Sequence, residues 1–296
     1  MNQSDSDRWK SDVLDEVFAA LAAASETEEC LVFKGARVLN ARLSGGRQSL
    51  DLDTNLMRDF VDRHPDREDQ RVYLERYIKV AIARHFEQQD PIRFELKAIT
   101  VKTYPPKSHP MGWDAFKVKL KVFDLAKPGI KALPGIEIDV ASPEELLSTS
   151  IKPVTIGEYQ ALAYSLERIA GEKMRAFLSS LPKYKAKVKK PGESVRAKDL
   201  YDLARILRAC PIERSDFWDT VGQEFRIACE SRYIDCHGLE SFMEEWGVTA
   251  QIYSKDPTIP DDISIDEARS ALERIVAFMT AKGTVPFMHH LPPALP

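Results

Sequence analysis

The sequence predicts an α/β (α+β) protein, an N-terminal mixed sheet with helices on its face followed by a C-terminal helical bundle. Three observations predict it. Apolar side chains recur at helical spacing over residues 9–25 and about 68–88. Between 92 and 141 the period changes to two, as in half-buried antiparallel strands. Beyond about residue 150 the chain reads as helices joined by turns. A length of 296 residues suits two domains that can each bury a core. The boundary is expected near 150, giving 1–150 as the sheet domain and 151–296 as the helical one.

In the first helix Val13, Val17 and Leu21 form the apolar line. A short run, LVFKG, follows at Leu31–Gly35, and SLDLDTN occupies Ser49–Asn55. The next long helix buries Leu74, Tyr77, Ile78, Ala81 and Ile82, with His85 continuing the stripe as a packing residue. The period-two stretches are IRFELKAITVKT and AFKVKLKVFDL. In the second, Phe116, Val118, Leu120 and Val122 share one face and Lys117, Lys119 and Lys121 the other. That lysine row reads as a solvated face. GIEIDVAS then places Glu137 and Asp139 on one face.

Ser142-Pro-Glu-Glu145 and Thr155-Ile-Gly-Glu158 both have capping-box spacing, which predicts that the sheet ends at the first and that a helix to about 180 opens at the second. In that helix Lys173 falls in the middle of the apolar line of Leu162, Leu166, Ile169 and Phe177. An unpaired ammonium there costs several kcal/mol, so it either snorkels or meets an anion. KYKAKVKK, residues 183–190, holds five lysines and no acid before Pro191-Gly192. It reads as an exposed loop, either a solvated linker or a capture site for a nucleic-acid backbone with Tyr184 for stacking. The helix of SVRAKDLYDLARILRA puts Arg196 on the buried line of Leu200, Leu203 and Leu207, Asp199 at its edge and Asp202 further round. Helices are also expected around 217–233, 239–246 and 264–282, and the tail with His289-His290 as an irregular surface segment.

The densest chemistry lies between Leu31 and Asn55. In a strand Asp51 and Asp53 project on one side, and two adjacent carboxylates repel unless a cation lies between them. The Gly35 turn brings backbone N–H groups within reach of an anion. A solvated edge strand accounts for the same pair without a ligand. Lys34-Gly35-Ala36 followed by Ser49-x-Asp51-x-Asp53 resembles the minimal nucleotidyltransferase superfamily, and more narrowly the AbiEii/AbiGii toxin family of type IV toxin–antitoxin and abortive-infection systems. EKMRAF, Glu172–Phe177, is similar to that family's Lys-x-x-Ala-like motif, and Arg-x-Lys-Asp-Leu-Tyr-Asp-Leu to its [Arg/Lys]-Asp-x-x-Asp-Leu motif. Ala36 departs from the usual Gly or Ser, leaving phosphate contact there to the backbone. The resemblance covers Leu31 to about Leu207.

The resemblance implies an Mg²⁺-dependent enzyme that moves a nucleoside monophosphate from an NTP to an acceptor hydroxyl. Asp51, Asp53 and Asp139 would hold two ions, with Glu137 as the alternative third carboxylate. Lys34, Gly35, Ala36, Ser49, Lys173 and Arg196 would contact the nucleotide, and Asp199 would be catalytic. The implied acceptor is the tRNA 3′ end and the implied partner a cognate antitoxin. A protein-modifying, AMPylator-like transferase and a non-catalytic nucleotide-binding module remain alternatives. Net charge is −4, so any nucleic-acid contact must be a local patch. The four cysteines lack metal-ligand spacing and are expected to be reduced thiols. No run approaches ~18 apolar residues and the N-terminus lacks a signal-peptide core, so a soluble cytoplasmic protein without membrane contact is expected.

Overall fold

The alternating stretches do form strands, and their apolar faces meet the helices that the 3.6-residue period predicts. The computed structural model describes residues 3–109, 111–130, 133–189 and 194–291. Its helices and strands run α1 (Gln3–Ala23), α2 (Ser25–Glu28), β1 (Leu31–Lys34), α3 (Gly35–Leu43), β2 (Leu52–Leu56), α4 (Arg58–Arg63) and α5 (Arg67–Glu87). Then come β3 (Phe94–Tyr104), β4 (Ala115–Asp124), β5 (Ile136–Ala141), β6 (Ile151–Ile156) and β7 (Tyr159–Tyr164). The remaining helices are α6 (Leu166–Ser179), α7 (Pro182–Lys187), α8 (Lys198–Ala209), α9 (Ser215–Glu230), α10 (Leu239–Phe242), α11 (Trp246–Lys255) and α12 (Ile265–Ala281).

The strands form a seven-stranded mixed sheet in the order β3-β4-β5-β2-β1-β7-β6. β1 and β2 are antiparallel, β2 and β5 parallel, and β3, β4 and β5 successively antiparallel. On the inner face Val118 pairs with Ile138 and Ile138 with Leu52, all fully buried. Val13, Val17 and Leu21 of α1 and Leu74, Ile78 and Ile82 of α5 are also buried. Burying each such side chain is worth about 1.5–3 kcal/mol. Trp9 donates its indole N–H to Asp124 across 2.9 Å, satisfying the polar end of a buried ring.

Three sequence expectations fail here. The sheet does not end near 141, because β6 and β7 extend it beyond residue 150. Ser142-Pro-Glu-Glu145 opens no helix, and Thr155–Glu158 is no cap. It holds the end of β6 and the turn to β7, with Gly157 at φ +58°. A capping box is a local pattern, whereas β7 pairs with β1, which would otherwise offer unpaired N–H and C=O groups. The cap of α6 comes later, where the Ser165 hydroxyl accepts the Arg168 N–H.

The chain divides into two compact units, Met1–Ala41 with Gln48–Pro143 and Ile151–Ala163, and Arg42–Arg47 with Glu144–Ser150 and Tyr164–Pro296. The second unit is built on α6, α8, α9 and α12. A Cβ on Gly171 of α6 would lie 2.7 Å from the Phe225 backbone nitrogen, so only glycine permits this approach to α9. Arg168 of α6 is buried and pairs with Glu144, Glu172 and Glu224.

Two further differences concern polar segments. Lysines 183–187, expected in an open loop, belong largely to α7, which begins at Pro182. Lys187 pairs with Asp235 at 2.8 Å, and the Tyr184 hydroxyl donates to the Arg232 carbonyl. Lys190, Pro191 and Gly192 lie outside the described residues. The tail is not simply a surface segment either, since Phe287 is buried and bridges Cys236. His85 is half-buried, its Nε2 3.0 Å from Glu16. Tyr77 is likewise only half-buried. All four cysteines are buried free thiols, and burial pushes Cys30 up to about 12 and Cys236 up to about 11, away from thiolate chemistry.

Candidate active site

β1 ends at Lys34 and Gly35 turns the chain directly into α3, at φ +79°. A Cβ at Gly35 would sit 2.3 Å from Asp53 Oδ2, so a side chain here would displace the carboxylate that now lies against the backbone. Ala36, next in α3, is buried.

Register sets the charge pattern on the outer face. Asp53 of β2 is the direct partner of Asp139 of β5, and of Lys34 of β1 on its other side. Asp139 in turn faces Lys117 of β4, with 3.9 Å between charged atoms. Cross-strand partners share a face, so Lys34, Asp53, Asp139 and Lys117 form one transverse row. Glu137 lies two residues along β5 and is engaged by Lys119 at 2.8 Å. Burial raises the Asp139 carboxyl above the usual carboxylate range. Asp51 and Glu137 push it further up, against Lys117 and Lys34.

Asp51 departs from the expected strand alternation. β2 begins at Leu52, so Asp51 lies in the bend before it. Its orientation comes instead from Ser49, whose hydroxyl donates to Asp51 Oδ1 at 2.8 Å. Arg37 of α3, which the sequence reading did not single out, holds this bend. Its buried guanidinium donates to the carbonyls of Ser49 at 2.6 Å and Asp51 at 3.2 Å, and pairs with Asp15. The available sign was an arginine lying between buried Ala36 and Val38.

These oxygen donors fit a hard divalent cation. Among the described residues no three Asp, Glu, His or Cys side chains converge as a complete cage. Mg²⁺ is commonly held by one or two carboxylates, with substrate phosphates and water completing the shell. Asp53 and Asp139, in register with Asp51 beside them, meet that requirement.

In the second unit Lys173 of α6 is buried and meets two carboxylates of α8, Asp199 at 2.8 Å and Asp202 at 2.7 Å. It therefore meets anions rather than snorkelling. Arg196 lies before α8 rather than on it. It pairs with Asp199 at 2.7 Å, and its backbone N–H donates to Ser180. Asp202, expected further round the helix, is fully buried and also pairs with Arg47 at 3.0 Å. Three cations thus meet two carboxylates. Burial opposes the Asp199 charge, but Arg196 and Lys173 hold its carboxyl well below the usual range. Sequence spacing could not reveal Arg47, which lies 155 positions from Asp202.

A model of the nucleotidyl transferase AbiEii toxin family, type IV toxin–antitoxin system, matches residues 17–295. No curated protein matches the sequence. The fold is similar to a protein from H. pylori assigned as a nucleotidyltransferase, at TM-score 0.51 and 14% identity over 95% of this chain and 97% of that one. It is also similar to JHP933 from Helicobacter pylori, at TM-score 0.50 and 14% identity over 95% and 94% of the two chains. MenT4, the nucleotidyltransferase toxin Rv2826c from Mycobacterium tuberculosis H37Rv, aligns at TM-score 0.49 and 15% identity over 93% and 84%. With the family model spanning nearly the whole chain, this protein belongs to the AbiEii nucleotidyltransferase toxin family of type IV toxin–antitoxin systems.

Proposed function

We propose that this nucleotidyltransferase uses Mg²⁺ to transfer a nucleoside monophosphate from an NTP to the 3′-terminal hydroxyl of tRNA, as the toxin opposed by a cognate antitoxin in the cytoplasm. The observation that carries the reading is the register pair of Asp53 and Asp139 with Asp51 held beside it. Bound there, Mg²⁺ would neutralise charge on the phosphates during in-line displacement.

The chain's own groups divide the remaining work. Asp51, Asp53 and Asp139 supply the carboxylate oxygens. Gly35 leaves room for Asp53, while the N–H groups that open α3, including that of Ala36, offer donors to a phosphate. Lys34 adds a positive charge at the end of the row. Ser49 and Arg37 fix the bend that carries Asp51. Lys173 and Arg196 are assigned to the nucleotide's phosphates, and Asp199, ionised and bonded to both, is assigned to orient them.

Incubation with each α-labelled NTP, Mg²⁺ and total tRNA tests the reading. Label on tRNA with the wild-type chain and none with Asp51→Ala is the expected result. Label on protein instead of RNA would overturn the acceptor. Nucleotide binding without any transfer would overturn the reaction.

A further inference from the structure

The row containing the carboxylate pair does not stop at Lys117. Lys117 is the direct antiparallel partner of Lys102 on β3, so the sequence along the row is Lys34, Asp53, Asp139, Lys117, Lys102. Lys119 and Lys121 follow on the same face of β4, and Tyr104 stands half-exposed at the end of β3 with the Lys117 ammonium 5.1 Å from its ring centre. Two like charges directly opposite each other destabilise a strand pair, and Lys117 and Lys102 are such a pair. Lysines on an edge strand often serve to prevent edge-to-edge aggregation. That purpose accounts for Lys102 on edge strand β3. It does not account for Lys117, Lys119 and Lys121, because β4 is paired on both sides.

Building on the proposed transfer to RNA, we infer that this lysine face of β3 and β4 binds the phosphate backbone of the acceptor RNA, alongside the row that carries Asp139 and Asp53. Charge complementarity selects the partner. The whole chain carries −4, yet this face gathers four lysines beside an exposed aromatic ring. Glu137 and Asp139 engage Lys119 and Lys117 at its inner border, whereas Lys102 and Lys121 stand exposed. A sheet face with cationic side chains and a ring for stacking is a surface on which a single strand can lie. The helix α7 lysines are poorer candidates, since Lys187 is paired with Asp235 and the Tyr184 hydroxyl is held by Arg232.

The experiment measures binding of end-labelled unfractionated tRNA to the full-length chain across a salt series, without NTP. The double variant Lys102→Glu/Lys121→Glu and a milder Lys102→Gln/Lys121→Gln variant are compared with wild type. A charge-matched control, Lys79→Glu/Lys255→Glu, changes exposed lysines elsewhere. The expected result is several-fold weaker binding for both β3–β4 variants. Their slope of log affinity against log salt should be smaller by about 1.5–2, with the control unchanged. Equal binding by wild type and both variants would overturn the lysine face while leaving transfer to RNA standing. Equal weakening in the control would also overturn it, by showing only a general charge effect. A wild-type chain that binds an acidic protein acceptor and no RNA, and labels that protein in the transfer assay, would remove both readings together.

Discussion

The molecule contains two carboxylate clusters that handle charge in opposite ways. On the sheet, Asp53 and Asp139 are neighbours in register and half-exposed, with lysines at the ends of their row. In the helical unit, Asp199 and Asp202 are fully buried and each meets two cations. The first arrangement leaves negative charge facing solvent, where a cation can be gained and exchanged. The second locks a lysine and two carboxylates together, since a buried charge persists only when paired. A perturbed or buried acid is therefore a weak guide to catalysis until its partners are known.

The largest expected effect separates these roles. Asp53→Ala should reduce nucleotidyl transfer by about 10³-fold or more while thermal unfolding stays near the wild-type temperature. Lys173→Met should lower stability as well as transfer. It leaves two buried carboxylates short of one cation, so urea unfolding should show a loss of about 3–5 kcal/mol. A Lys173→Met variant as stable as wild type would show that the cluster is not a structural lock.

Intermediate in size is Gly35→Ala, which should lower transfer by about 10–100-fold by displacing Asp53, because small misplacements of reacting groups are costly. Its stability loss should be about 1–2 kcal/mol from the left-handed backbone. An equal loss of activity in Gly45→Ala, where a Cβ meets nothing within 4 Å, would remove the Asp53 contact as the cause.

The smallest effects are in pH dependence, and the two clusters should differ in sign. The Asp199 carboxyl is depressed in the folded chain, so its stabilisation is present above the ordinary carboxylate range and is lost as pH falls through its lower folded value. Acidification should therefore narrow the gap between wild type and Asp199→Asn. The Asp139 carboxyl is raised, so its ionisation opposes folding when no cation is bound. Asp139→Asn should be slightly more stable than wild type at neutral pH, and acidification should erase that gain. Melting curves over a pH series check both signs.

Much of the sheet site was legible because its signals are local. Alternation in FKVKLKV and GIEIDVAS located β4 and β5, and with them Asp139 and the lysine face. Lys173 was conspicuous because an ammonium in an apolar stripe demands an anion. The hairpin of β6 and β7 was misread because Thr155–Glu158 satisfies a capping pattern, while the pairing that decides its conformation comes from β1, more than a hundred residues away. Arg37 gave only the faint sign of an arginine among buried helical positions.

The sequence by itself determined that Glu137 and Asp139 share one face of a strand and that Lys173 lies in a helical core, since both follow from the fixed periods of strand and helix. Only the tertiary structure decided that Asp53 stands opposite Asp139, that its carboxylate lies where a Cβ on Gly35 would be, and that Asp202 pairs with Arg47. Those facts depend on strand register and on contacts between distant segments, and the local period of a chain specifies neither.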